Sequence, residues 1–184
     1  MDVVSVPQLA DNYAYLVVDP QSREAAVVDC AEAPAVLDEV SRRAVRLTTV
    51  LATHHHFDHV GGNQDLLAAI PGLRIFGSAN DAPRIPGITD RVRNGDALSV
   101  GALSGRVILI PAHTSGHVAY HFPDARAVFT GGRRYETFQT LEEFTRFHAG
   151  ARRTLALAAP ILKKHRLKLA LENHKDHTME ELAR

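Results

Sequence analysis

The densest chemistry in the chain lies in six residues, His54-x-His56-x-Asp58-His59, whose four spaced positions supply three imidazoles and a carboxylate. Catalytic metal sites need ligands that converge from a rigid frame and leave one coordination position for water, and His and Asp suit zinc and related ions. In an extended turn His54 and His56 face one way, while Asp58 and His59 are directed to a second centre once the chain bends. Two ions about 3.5 to 4 Å apart could then share a hydroxide. A solvated loop that happens to be rich in His would not need the apolar run before this span or the Gly61-Gly62 pair after it. His113, in the loop Pro111-Ala112-His113-Thr114-Ser115-Gly116, would by itself be read as a hydrogen-bonded structural residue between two strands. No Ser-His-Asp or Cys-His nucleophile motif is needed for this chemistry. Cys30, the sole cysteine, reads as a small buried residue.

The elements that must position these side chains follow from periodicity and turn signals. Val3 to Val6, Asn12 to Asp19 and Glu24 to Asp29 read as strands rich in Val and Tyr, separated by turn residues such as Asp19-Pro20-Gln21-Ser22. Pro34 suits a first helical turn, and Val36, Leu37, Val40 and Ala44 recur at helical spacing before the buried strand Leu47 to Ala52. The His-rich segment therefore sits on a strand-to-helix loop, with a helix over Asn63 to Ile70 stopped by Pro71-Gly72. Leu73 to Phe76, Ala97 to Val100, Arg106 to Ile110, His117 to Phe122 and Ala127 to Thr130 read as further short strands. From Leu141 to Arg166 the pattern is helical, with Phe144, Phe147, Leu155, Ala158 and Leu162 as an apolar stripe, and Leu167 to Leu171 is a last strand. Thr178 and Glu181 form a capping-box signature one turn before Arg184, an ending that reads as truncation.

Thr53 to Gly62, THHHFDHVGG, resembles the THxHxDHxGG signature of the metallo-β-lactamase superfamily, and within it the glyoxalase II (hydroxyacylglutathione hydrolase) branch is the nearest. Supporting stretches are Leu9 to Tyr13, the strand end Val27-Val28-Asp29, Leu47 to Leu51, and Ile110 to His117, so the resemblance covers about residues 1–131. It implies an α/β chain folded as an αββα sandwich with the metals at one edge. It also implies hydrolysis of S-(2-hydroxyacyl)glutathione thioesters such as S-lactoylglutathione, a step in methylglyoxal detoxification. Carried over residue by residue, His54, His56 and His113 would hold a first Zn2+, and Asp58 and His59 a second, with Fe or Mn as alternatives. Asp58 would act together with metal-activated hydroxide, and the thiolate product, whose parent thiol has a pKa of roughly 8.5, leaves without a strong general acid. Within the HTSGH motif His113 reads as a ligand and His117 as a residue that orients the loop, while His55 points away from the metals. Asp29 either supports a ligand by a hydrogen bond or simply ends its strand.

The final third departs from that pattern. In the family, the strand matching Ala127 to Gly131 is followed by an Asp that bridges both metals, and here Gly132 stands in its place. Losing support around a ligand commonly costs ~10 to 100-fold in affinity or activity, so one metal is expected to be weakly held. Neither Asp124 nor Glu136 matches the motif. A gapped match sets Gly132-Arg133-Arg134-Tyr135-Glu136 against the family's glutathione-contacting stretch, which makes Arg133 and Tyr135 substrate contacts or a plain basic turn. His174 follows a strand as the family's last histidine ligand does, but without the Gly-His-Glu context. The tail, Arg134 to Phe138 and Leu171 to Asp176, is similar instead to sugar-phosphate isomerases of the xylose-isomerase-like TIM-barrel type, in which Glu172 would be a metal ligand at a strand end. One βα unit cannot close a barrel. Residues 132–184 thus read as a fused, truncated or diverged C-terminal segment on a metal-binding region spanning 1–131, and the sandwich as incomplete at its C-terminus. The alternatives to an active thioester hydrolase are a catalytically impaired metal-binding remnant and another hydrolase of the same fold acting on a lactone, phosphodiester or β-lactam.

Composition narrows the partners. Twenty-one basic residues balance twenty-one acidic ones, so no net field draws the chain to nucleic acid or an anionic membrane, and a small molecule is the expected partner. With 45% hydrophobic residues, 184 residues can bury one sizeable core but not comfortably two. Charges and prolines interrupt every apolar stretch before the ~20 residues that a membrane helix needs. With a single cysteine and no basic-then-apolar N-terminal segment, a reducing, cytoplasmic setting is expected.

Overall fold

The computed structural model describes residues 1–10, 12–111 and 113–131, with isolated positions between Thr140 and Leu169. The chain divides into two compact units, Met1–Gly131 and Gly132–Arg184. In the first unit β1 (Asp2–Gln8), β2 (Asn12–Val18) and β3 (Glu24–Val28) run antiparallel, with Asp2 opposite Val18 and Gln8 opposite Asn12. Helix α1 (Ala33–Arg43) then returns the chain so that β4 (Arg46–Leu51) lies parallel to β3. Two short helices, α2 (Phe57–Val60) and α3 (Asn63–Ala69), lead to β5 (Arg74–Ser78), and a 3₁₀ turn at Ala82–Arg84 leads to β6 (Asp90–Val92). Both strands continue the parallel half, which gives the order β1-β2-β3-β4-β5-β6.

A second sheet is a meander of β7 (Ala97–Val100), β8 (Leu103–Leu109), β9 (Val118–Phe122) and β10 (Ala127–Phe129), each antiparallel to the next. Because strand side chains alternate between faces, the first sheet divides its apolar residues between two cores. Val17, Ala26, Val28, Leu51 and Phe76 pack with Val107, Val118, Tyr120, Phe122 and Phe129 of the second sheet. Leu16, Val18, Ala25, Val27, Val50 and Ile75 face the other way, with Val36 of α1 and Leu66 of α3. Near-continuous hydrophobic runs in β3 and β4 are what a strand covered on both faces requires. The described residues of this unit therefore form three layers, helices on a sheet on a sheet. Tyr120, wholly buried between the sheets, donates from its hydroxyl to the Ala52 carbonyl at 2.8 Å, just where β4 gives way to the His-rich loop.

Each strand expected in this unit is present, with ends shifted by up to three residues; β8, for example, begins at Leu103 rather than Arg106. Three elements carry no sequence expectation, namely α2, the 3₁₀ turn and β6, each of only three or four residues and too short to complete a periodic pattern. Asp58 and His59 consequently sit in a helical turn instead of an open loop. In the second unit the described positions from Glu142 to Lys164 are helical and β11 spans Lys168–Leu169. Most of 132–184, including Gly132, Arg133, Arg134, Tyr135, Glu136, Glu172 and His174, lies outside the described residues. Among those described, no helix is long and apolar enough to cross a membrane.

One carboxylate ties the two sheets together. Asp19, buried at the end of β2, accepts from Gln21 N (3.0 Å), Ser22 Oγ (2.7 Å) and, in the β7–β8 turn, Ala102 N (2.8 Å). Gly101 there has φ +57°, and a Cβ would lie 2.4 Å from Asp19 Oδ2. The Ala102 N–H above all, then Ser22 and Gln21, outweigh burial and lower the Asp19 pKa to about 2. A pKa depressed from the ordinary ~3.9 means stability that is present above about pH 4 and lost as pH falls through about 2. An Asp19→Asn variant should therefore be less stable than the parent chain in urea unfolding at pH 7, and the gap should narrow at pH 2.

Candidate functional site

The loop from Thr53 to His56 leaves the C-terminal end of β4 between the ends of β3 and β5, the edge at which open parallel sheets bind ligands. Asp29, just past β3, turns into this edge with φ +54° and anchors the loop. Its Oδ1 accepts from Thr53 N (2.7 Å), and its Oδ2 accepts from Thr53 Oγ1 (2.8 Å) and His59 Nδ1 (2.8 Å). Backbone bonds Cys30 N to His59 O (2.7 Å) and Gly62 N to Cys30 O (2.9 Å) clamp α2 against the same strand end. Of the two readings of Asp29, the one in which it holds ligand-bearing residues by hydrogen bonds fits this geometry.

The Thr53 hydroxyl sets the state of His54. Its proton is committed to the Asp29 carboxylate, so it can only accept from His54 Nδ1, 3.0 Å away. That puts the ring proton on Nδ1 and leaves a lone pair on Nε2, a fully buried atom with no hydrogen-bond partner. Burial, reinforced by the neighbouring imidazoles of His59, His117, His113 and His56, pushes the His54 pKa far below the ordinary value, so the ring is neutral. An orphaned, buried, unprotonated imidazole nitrogen is costly unless an electrophile faces it.

His56 and His113, both half-buried, bring further imidazole nitrogens to the same place. The candidate ligand nitrogens of His54, His56 and His113 all lie within 4.8 Å of one another, and His56 Nδ1 is 2.9 Å from His113 Nε2. Nitrogens at ~2.0 to 2.1 Å from one tetrahedral ion are roughly 3.3 Å apart, so the trio fits a single divalent cation after small ring movements. Asp58 and His59 form an adjoining pair. Asp58 Oδ2 is 3.2 Å from His59 Nε2 and accepts from Asn12 Nδ2 at 3.1 Å, while the same amide also donates to the Asp58 carbonyl at 3.0 Å. Burial disfavours a charged His59, but Asp29 and Asp58 outweigh it and raise the pKa to about 10. The Asp29 carboxylate at Nδ1 leaves Nε2 as the ring atom that faces Asp58, and a carboxylate behind a histidine in this way is the usual outer support of a metal ligand.

His55 turns away from the trio and bonds Asp81, and His117 is buried with Nε2 3.1 Å from Thr130 Oγ1. Asp124 lies in the exposed β9–β10 turn. Three residues of the site, Asn12, Thr53 and Asp81, receive no role from residue type or spacing. Asn12 and Thr53 fall in stretches that carry the family resemblance, but each of the three is a lone polar side chain at a strand end or turn whose task shows only in its burial and partners.

A three-layer α/β sandwich with a histidine cluster at the C-terminal edge of its parallel strands defines a metal-site fold, and the comparisons with known proteins agree. The Metallo-beta-lactamase superfamily profile matches residues 9–165. Hydroxyacylglutathione hydrolases of Cereibacter sphaeroides and Gloeobacter violaceus are 48% and 46% identical, over 71% and 67% of this chain and 51% and 49% of theirs. The chain thus spans about half the length of the curated relatives it matches. Among solved structures, ETHE1 from Myxococcus xanthus superposes with a TM-score of 0.61 at 28% identity, covering 71% of this chain and 57% of that one. BLEG-1 B3 metallo-beta-lactamase, at 19% identity, shares the fold with a TM-score of 0.63 over 71% of each chain. The chain belongs to the metallo-beta-lactamase superfamily, and over the region it shares with them its sequence is similar to hydroxyacylglutathione hydrolases.

The Gly61-Gly62 pair is explained by packing. A Cβ at Gly62 would lie 2.7 Å from Cys30 Sγ and 2.8 Å from Ala33 N, and backbone cannot yield as a side chain does. Gly62→Ala should cost about 1 to 3 kcal/mol in urea unfolding, as overpacking does, whether or not a metal is supplied.

Proposed function

We propose that this chain is a metal-dependent hydrolase of S-(2-hydroxyacyl)glutathione thioesters such as S-lactoylglutathione. His54, His56 and His113 would hold one divalent cation, and Asp58 and His59 a second. The observation that carries this reading is the buried His54 Nε2, unprotonated and unpartnered, among two further imidazole nitrogens within 4.8 Å. The identity of 48% to a hydroxyacylglutathione hydrolase supplies the substrate class. Zinc is the ion we assign, because nitrogen-rich tetrahedral sets favour it, with iron or manganese as the alternatives.

Such cations, when bound, lower the pKa of water toward neutrality and polarise a carbonyl. The chain's own groups have complementary tasks. Thr53 holds the His54 proton on Nδ1 and so aims the lone pair of Nε2 into the cluster. Asn12 fixes the Asp58 carboxylate by donating to both its Oδ2 and its backbone carbonyl. Asp29 orients His59 through Nδ1. In this reading Arg133 and Tyr135 contact the glutathione moiety, His174 is a sixth ligand, residues 1–131 are the metal-binding region with 132–184 as an atypical appendage, and the protein works in the cytoplasm without nucleic-acid or membrane partners. A second reading, a metal-binding protein of impaired activity, is favoured by Gly132, which stands where the family carries its bridging Asp.

Metal analysis of the purified chain coupled to a thioester assay separates the two. Near two equivalents with turnover of S-lactoylglutathione supports the hydrolase, one equivalent without turnover supports the impaired protein, and no retained ion sinks both. Asp58→Ala should lower the stoichiometry by one, and an unchanged value would refute its assignment. His56→Ala should weaken the first site by at least ~100-fold, since a lost ligand costs no less than a lost support.

A further inference from the structure

The motif around the cluster contains residues that the proposed ligand set leaves unexplained: His55 between two ligands, and Thr114 and Gly116 after a third. All three meet at one carboxylate. Asp81 lies in the turn after β5, with its side chain wholly buried. Its Oδ2 accepts from Thr114 Oγ1 at 2.7 Å and from His55 Nδ1 at 2.9 Å. Its Oδ1 accepts from the Arg84 guanidinium at 2.8 Å. Gly116 is pressed against the same group, so that a Cβ there would stand 2.5 Å from Asp81 Cγ and 2.8 Å from Asp81 N. Only glycine lets the β8–β9 loop approach so closely.

We infer that Asp81 is the positioning residue that sets the spacing between the loop bearing His54 and His56 and the loop bearing His113. The two loops meet at their base through Val118 N and the Thr53 carbonyl, 2.9 Å apart. Asp81 supplies a second tie farther out, from an element that belongs to neither loop. Two ties fix an angle where one leaves a hinge, and a ligand set must be held within about 0.5 Å to keep its affinity. Leaving His55 and Thr114 without their shared acceptor would free both loops at the positions next to the ligands. A buried carboxylate with three donors is expensive to install for stability alone, which is the physical reason to look for a positional role.

This inference rests on the metal-site reading above. Its test uses the full chain, with zinc dissociation constants read by chelator competition, the visible spectrum of the cobalt-loaded protein, and the metal-free urea midpoint. Asp81→Asn should bind zinc about 10 to 100-fold more weakly and shift the cobalt bands. Thr114→Val should do the same, Thr114→Ser should restore affinity, and the Asp81→Asn/Thr114→Val double variant should be no weaker than Asp81→Asn alone. Should Asp81→Asn fail to fold, the Thr114 pair decides. Parental affinity and spectrum in Asp81→Asn, or equal weakness in Thr114→Ser and Thr114→Val, would overturn the inference while leaving the metal site standing. No metal binding by the unsubstituted chain would overturn both.

Discussion

The site depends on the saturation of one carboxylate, Asp29. Its two oxygens take a backbone N–H, a hydroxyl and an imidazole N–H, and each of those bonds fixes something different. The N–H of Thr53 stops β4 from continuing as a regular strand; the hydroxyl, once its proton is committed, dictates the tautomer of His54; the imidazole bond aims His59. Hydrogen bonds to a charged acceptor are roughly twice as strong as neutral ones, so the group can hold three chain segments in a place where water does not help.

The surroundings are built to tolerate this polarity. Parallel strands β3, β4 and β5 end side by side, and their buried apolar faces seal the base of the edge beneath Thr53 and Asp29. Polar residues that would be costly in a core are partnered here in pairs and triads, Asn12 with Asp58, Thr53 with Asp29, Thr114 with Asp81. Among the described residues three buried side-chain atoms lack a partner, Asn12 Oδ1, Asn63 Oδ1 and His54 Nε2, and of these His54 Nε2 is the one that belongs to the histidine cluster.

Much of this was legible from residue types. The alternation of Val and Tyr gave the antiparallel opening, the apolar run before Thr53 gave the buried strand, and the spacing of His54, His56, Asp58 and His59 gave the loop. The proximity of His113 was legible only through the motif around it, because 57 residues separate it from His56 and no periodicity spans such a gap. Asn12 is read in sequence as the polar first residue of a strand, though it reaches Asp58 across 46 residues. Asp81 is harder still, being an acidic residue in a turn, where acidic residues are common for purely local reasons. Helix α2 escaped because four residues carry no period, yet its turn is what separates Asp58 and His59 from the trio.

The partners in this edge come from Asn12, Asp29, Thr53 to His59, Asp81 and the loop around His113, with Val118 closing the set. Almost the whole span of the first unit therefore has to be assembled before any one of these side chains finds its neighbours. Contacts of such high sequence separation are late events in folding. Binding competence should accordingly be an all-or-none property of this unit, so that a fragment ending before β9 would keep the His-rich loop and lose the environment that makes it more than a string of imidazoles.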